Sequence, residues 1–213
     1  MKTAIGTYKI TRRLPGDSES YEAQSSRGVR CTLRIFEGAT DGSGWERAER
    51  ETRIAAMLDH EAIQSPCDCF EDDGKLVLAF PEHKGVSLDE LLSSLDRTGK
   101  ALDPAAIWLL AHAVVAALAQ AHSASDDDGD MVPVCHGHLS PKSVLVDPDG
   151  SVRLAGLGQA SLVGTSGVMP ATGYAPPEQR ADGQVTPRGD VFAFGVLLWR
   201  LLAGKEPPIE APP

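Results

Sequence analysis

The sequence predicts an α+β protein of two lobes, a small antiparallel β lobe followed by a mainly helical one. Three observations predict it. Over residues 1–80, short β-forming segments alternate with turns around a single helical pattern. After Phe80 the pattern changes to long apolar helices, and a polar stretch over 81–87 separates the two regimes. With 213 residues, 42% of them apolar, the chain can bury a substantial core.

In the first lobe Tyr8 to Leu14, Ser20 to Gln24 and Val29 to Phe36 read as strands, with Ser25-Ser26-Arg27-Gly28 turning the last two. Ser43-Gly44-Trp45-Glu46 fits a capping box, which opens a helix running to about Leu58. Strands near Cys67 to Glu71 and Lys75 to Phe80 flank Asp72-Asp73-Gly74 and complete a five-stranded antiparallel lobe carrying one helix.

The second lobe spans 88–204. Ser87-Leu88-Asp89-Glu90 is another capping box, and Asp103-Pro104 supplies an N-cap and an N1 proline for a helix from Ala105 to about His122. That helix is apolar on nearly every face, which places it at the centre of the lobe. Ser123 to Asp130 is an acidic loop, and Ser143 to Val146 and Ser151 to Ala155 form a strand pair turned by Asp147-Pro148-Asp149-Gly150. A Gly-, Pro- and Ser-rich loop follows over 156–189, then a helix from Asp190 to Leu202, N-capped by Asp190 and stopped at Gly204. Residues 205–213 are a Pro-rich tail or linker.

Composition narrows the function. With 20 Lys and Arg against 30 Asp and Glu, the net charge of −10 disfavours nucleic acid and anionic membranes as partners. It also repels a nucleotide triphosphate unless local cations intervene. No signal peptide follows Met1-Lys2, and the longest apolar run, Ile107 to Ala121, is broken by His112 and Gln120 and is shorter than the roughly 20 residues of a membrane span. A cytoplasmic protein with free thiols at Cys31, Cys67, Cys69 and Cys135 is expected.

Four ordered motifs carry chemistry. His136-Gly137-His138-Leu139-Ser140-Pro141-Lys142-Ser143-Val144-Leu145 resembles the protein-kinase catalytic loop, H-R-D-L-x-P-x-N-x-L. Leu154-Ala155-Gly156-Leu157-Gly158 is similar to the Asp-Phe-Gly strand end, Gly173-Tyr174-Ala175-Pro176-Pro177-Glu178 to the Ala-Pro-Glu region, and Asp190-Val191-Phe192-Ala193-Phe194-Gly195 to the start of the central helix of the larger lobe. The resemblance runs from Tyr8 to Gly204 and is strongest to the bacterial Ser/Thr type. It implies a two-lobed kinase-like fold, with lobes 1–80 and 88–204 joined by a hinge over 81–87, and with further helices after the central one, where this chain turns instead to Pro-rich sequence.

The resemblance also implies roles, and many are altered. His138 stands where the carboxylate that orients the substrate hydroxyl is expected, Gly156 where an aspartate bridges magnesium, Ser143 where an asparagine holds the second metal, and Ser140 where many kinases carry a phosphate-directed lysine. The phosphate-covering loop, Leu14-Pro15-Gly16-Asp17-Ser18-Glu19-Ser20-Tyr21, keeps one glycine and adds two carboxylates. Pocket remnants are Thr32, Arg34, Phe80, His83 and Leu145. Arg34 takes the place of the nucleotide-contacting lysine, and Glu51 lies beside an apolar helix stripe, so a structural Arg34–Glu51 bridge is expected. His136, Leu157, Glu178 and Asp190 keep structural positions.

The expectation is a pseudokinase: a kinase-fold domain without phosphotransfer that binds a protein partner or itself, without a metal or cofactor, and with weak magnesium-independent nucleotide binding or none. The alternative is a weakly active Ser/Thr kinase with His138 as base and Arg34 on ATP. A zinc site from Cys135, His136, His138, Cys67 and Cys69 fits no four-ligand spacing. Phe192, Val196, Leu197 and Trp199 are expected to form an exposed apolar face.

Overall fold

The computed structural model describes residues 3–14, 19–37, 43–159 and 173–205. The first lobe is one antiparallel sheet. Strands β1 (Ala4–Ile5), β2 (Tyr8–Arg13), β3 (Glu19–Gln24), β4 (Arg30–Glu37), β5 (Asp68–Asp72) and β6 (Lys75–Pro81) pair in the order β1-β2-β3-β4-β6-β5, with helix α1 (Ser43–Ala56) inserted between β4 and β5. The sheet thus has six strands where five were expected. The extra one is only two residues long, too short for alternation to register, and it pairs Ala4 with Lys9 and Ile5 with Tyr8. The capping box expected at Ser43 and most of the altered glycine loop, 15–18, lie outside the described side chains.

Alternation on β4 sets the orientation of the lobe. Cys31, Leu33 and Ile35 join Ile5, Tyr8, Ala23, Val77 and Ala79 in the sheet's own core, so Thr32 and Arg34 fall on the opposite face. Central strand β6 is buried without interruption from Leu76 to Phe80.

The second lobe contains α2 (Leu88–Thr98), α3 (Pro104–His122), a 3₁₀ turn at Pro141–Ser143, α4 (Pro177–Asp182) and α5 (Pro187–Ala203), together with a small sheet β7-β8-β9 (Val86–Ser87, Val144–Val146, Val152–Leu154). Ser87 and Glu90 form the expected capping box on α2, and Asp103 caps α3 ahead of Pro104. Leu110, Val114, Ala117, Leu118 and Ala121 of α3 pack with Val134, Leu139, Val144, Leu154 and Leu197 in the lobe's core. One stripe of α3 carries that packing, while Trp108 is 77% exposed. The apolar surface of α3 therefore extends beyond its buried stripe.

Two further expectations are corrected in the last helices. The loop over 156–189 contains α4, whose C-terminal Gly183 adopts φ +70°. Helix α5 begins at Pro187 and is capped by Thr186, whose hydroxyl accepts from Gly189 N. Asp190 therefore sits inside the first turn and is free to cap something else. Leu197 is buried, so the exposed apolar face of α5 is formed by Val191, Phe192, Trp199 and Leu202.

The Asp190 carboxylate, 1% exposed, accepts the backbone N–H of His136 at 2.8 Å and of Gly137 at 2.7 Å, and lies 2.9 Å from His122 Nε2. It thereby ties α5 and α3 to the loop that carries the site. Removing one member of a buried hydrogen-bonded set strands the others. Asp190→Ala is therefore expected to cost about 3–5 kcal/mol in urea unfolding, whereas exposed Val191→Ala stays within about 0.5 kcal/mol of the parent.

Candidate functional site

Between the lobes lies a cleft of about 560 Å³. Thr32 and Phe80 from the sheet, Pro81 from the hinge, and Leu145 and Ala155 from β8 and the end of β9 give it an apolar slot. Arg34, His138, Ser140, Lys142, Ser143 and Gln159 give it a polar end. His83, His136, Gly156 and Gln64 complete the lining. Of the residues singled out by sequence, Thr32, Arg34, Phe80, His83, His136, His138, Ser140, Ser143, Leu145 and Gly156 are thus brought together here. Glu51, Leu157, Glu178 and Asp190 do not line the cleft.

The expected Arg34–Glu51 bridge is absent. Arg34 Nη1 instead donates to Gln159 Oε1 at 2.9 Å, and the guanidinium carbon lies 5.4 Å from the centroid of the Phe80 ring. Burial alone pushes the Arg34 pKa below its ordinary range. Helix α1 is anchored by a different contact, the buried Thr52 hydroxyl donating to Gly158 O at 2.7 Å. Gly158 adopts φ +71°, and a Cβ there would lie 2.5 Å from that of Ala55. Only glycine lets α1 approach this closely.

The loop residues are held locally. His136 Nε2 donates to Ala155 O at 2.9 Å, and His136 Nδ1 accepts from His138 N at 3.2 Å. Those two bonds specify the neutral Nε2–H tautomer, and burial lowers the His136 pKa. With both ring nitrogens occupied, His136 is not a metal ligand, and among the described residues no group of three or more His, Cys, Asp or Glu is placed to hold a metal ion. The Ser143 hydroxyl donates to Ser140 O at 2.9 Å and accepts from Ser140 N at 3.1 Å, closing the 3₁₀ turn on itself. Gly156 adopts φ +93°, and its missing Cβ would meet the His136 ring at an ordinary 3.7 Å.

At the hinge the His83 ring faces Asp147 Oδ1 at 3.2 Å, and Asp147 also holds Arg153. Glu19, one of the two carboxylates added near the phosphate-covering loop, accepts from the Tyr21 hydroxyl at 2.9 Å and from Lys75 Nζ at 3.1 Å. Leu157 is buried in the core of the second lobe, and Glu178 is half-buried on α4 near Gly189.

Sequence reasoning missed Gln64, Lys142 and Gln159. Lys142 stood within a quoted motif, and Gln159 lies one residue beyond another. Neither carries a pattern of its own; only the pairing of Gln159 with Arg34 across the lobes reveals its part.

A model of the protein kinase domain matches residues 24–211. The chain belongs to the protein kinase domain family. This kinase domain is 27% identical to the serine/threonine-protein kinase PrkC of Bacillus subtilis over 97% of its own length and 32% of the relative's. It is 31% identical to PknL of Mycobacterium tuberculosis over 76% of its length and 39% of that protein's. The chain thus spans between about a third and two fifths of these two curated relatives. A crystal structure of the M. tuberculosis PknI kinase domain superposes with a TM-score of 0.74 at 26% identity, covering all of this chain and 82% of that one.

The His136 geometry gives this kinase domain a pH signature. A histidine whose folded pKa is lowered takes up its proton more readily in the unfolded chain, so stability falls as pH drops below about 6.5, the unfolded value. Urea midpoints measured from pH 7.5 down to 5 are expected to fall, and His136→Gln is expected to flatten that slope while lowering the pH 7.5 midpoint.

Proposed function

We propose that this kinase-fold domain carries out no phosphoryl transfer and acts as a regulatory, protein-binding module in the cytoplasm. The observation that carries this reading is the cleft lining: among its described residues there is no carboxylate. Phosphoryl transfer needs metal ions to neutralise the phosphates and a carboxylate to orient the hydroxyl. Magnesium takes oxygen ligands, chiefly carboxylates and phosphates. Gly156 offers no side-chain oxygen, and the Ser143 hydroxyl is already engaged twice with Ser140. The donor set does not fit the metal. His138, the remaining candidate base, supplies no fixed negative charge.

The exposed apolar residues of α5 and α3, among them Trp108, Val191, Trp199 and Leu202, support a protein-binding role. The relatives are named as serine/threonine-protein kinases, so kinase activity is the reading to test against. Incubation with labelled ATP, a generic protein acceptor and either magnesium or manganese is expected to give no transfer above a protein-free blank. Turnover that His138→Ala abolishes would contradict the proposal.

A further inference from the structure

The first lobe brings together two thiols that the chain separates by the whole of α1. Cys31 stands on β4, buried in the sheet's own core with Tyr8 and Ala79. Cys67 is exposed and lies just ahead of β5, on the far side of the central strand β6. Its backbone N–H donates to Ala79 O at 2.7 Å, while Asp68 is the residue that pairs with Ala79. Two residues facing one form a bulge, and this one brings Cys67 toward the side of the sheet on which Asp68 accepts from the Tyr8 hydroxyl at 3.1 Å. The β6 residue between the two cysteines is alanine, whose methyl leaves the sulfurs room to approach. They lie within hydrogen-bonding reach of each other, with Cys31 Sγ also directed to Val29 O at 3.7 Å and Cys67 Sγ to Ala79 O at 3.3 Å. Cys69 is not a competitor, because it faces the opposite side of the sheet against Phe36, Leu76, Leu78 and Phe80. Burial pushes the Cys31 thiol up to about 11, and the charges of Cys67 and Asp68 add to the shift. Cys31 is therefore a sheltered, protonated thiol at neutral pH, and Cys67 is the one that an oxidant in solution meets.

We propose that Cys31 and Cys67 are a redox-responsive pair that closes into a disulfide under oxidising conditions, with a small-molecule disulfide such as oxidised glutathione as the oxidant. The Cys67 thiolate attacks one sulfur of the oxidant, forming a mixed disulfide and expelling one glutathione, which leaves as its thiol after taking up a proton. Cys31 then gives up its proton to water, its sulfur attacks Cys67 Sγ, and the second glutathione leaves in the same way. Two protein thiols are oxidised and one disulfide is reduced to two thiols, so the exchange balances. Closure is favoured because the attacking sulfur is already beside its target, and it is the slower step because Cys31 is protonated. The new bond staples β4 to the segment entering β5 and encloses α1 in a covalent loop. Thr32 and Arg34, which line the cleft, follow Cys31 directly on β4, so the staple sits behind the cleft wall. The proposal concerns the other face of the sheet and holds whether or not the domain transfers phosphate.

Equilibration of the folded protein with glutathione buffers of increasing oxidised fraction tests it, with free thiols then alkylated in urea and the bonds located by mass spectrometry of the peptides. The expected product is an intramolecular Cys31–Cys67 disulfide with Cys69 and Cys135 still alkylated, formed faster at mildly alkaline than at neutral pH and reversed by dithiothreitol. Cys31→Ala, which keeps a small apolar side chain in the core, stops at one glutathione on Cys67. Cys67→Ser, at an exposed position, leaves Cys31 reduced. The oxidised protein is expected to unfold at a higher urea concentration than the reduced one, because the bond also constrains the unfolded chain, and the difference vanishes in either variant. Cys31 and Cys67 both alkylated across the whole series, a bond from Cys67 to Cys69 or Cys135, a bond between two chains, or a Cys31–Cys67 bond that forms only in urea would each overturn the proposal.

Discussion

The Asp190 carboxylate is the constraint from which the site is built. It is buried at the start of α5 and receives two consecutive backbone N–H groups of the His136-Gly137 loop, so that loop is fixed to the lobe's core through its main chain. Gln179 of α4 adds a third tether, its amide donating to Gly137 O at 2.7 Å. His136 is then turned inward onto Ala155, and the residues after it, His138 to Ser143, are presented to the cleft. Because these anchors use backbone atoms, they are indifferent to which side chains the loop carries. A loop with altered chemistry can therefore keep its shape.

The same separation of scaffold from chemistry explains what could be read from the sequence. Strands with clear alternation and helices with caps, such as β4, α2 and α3, were legible because one lobe's core or one set of orphan N–H groups determines them locally. The two-residue β1 and six-residue α4 were not, since neither is long enough to show a period. Asp190 was misassigned as an N-cap because the sequence cannot show that Thr186 takes that duty and leaves the carboxylate for a loop 54 residues earlier.

At the site, the residues brought together were largely those that the kinase resemblance pointed to, but their pairings were not. Arg34 and Glu51 look complementary as a pair of types, yet Arg34 reaches Gln159 across the lobes, and α1 is held by Thr52 on Gly158. A contact between residues 125 positions apart leaves no local trace in one sequence. The consequence is electrostatic: Arg34 has a neutral partner, and no carboxylate lines the cleft among the described residues.

The central claim is that this cleft does not hold the metal that phosphoryl transfer needs. Manganese is the direct probe, because its electron paramagnetic resonance signal distinguishes free from bound ion. Titration of the protein with manganese in the presence of ADP is expected to show only the binding that ADP alone produces. A saturable site of one manganese per protein, formed only when protein and ADP are both present, would contradict the account.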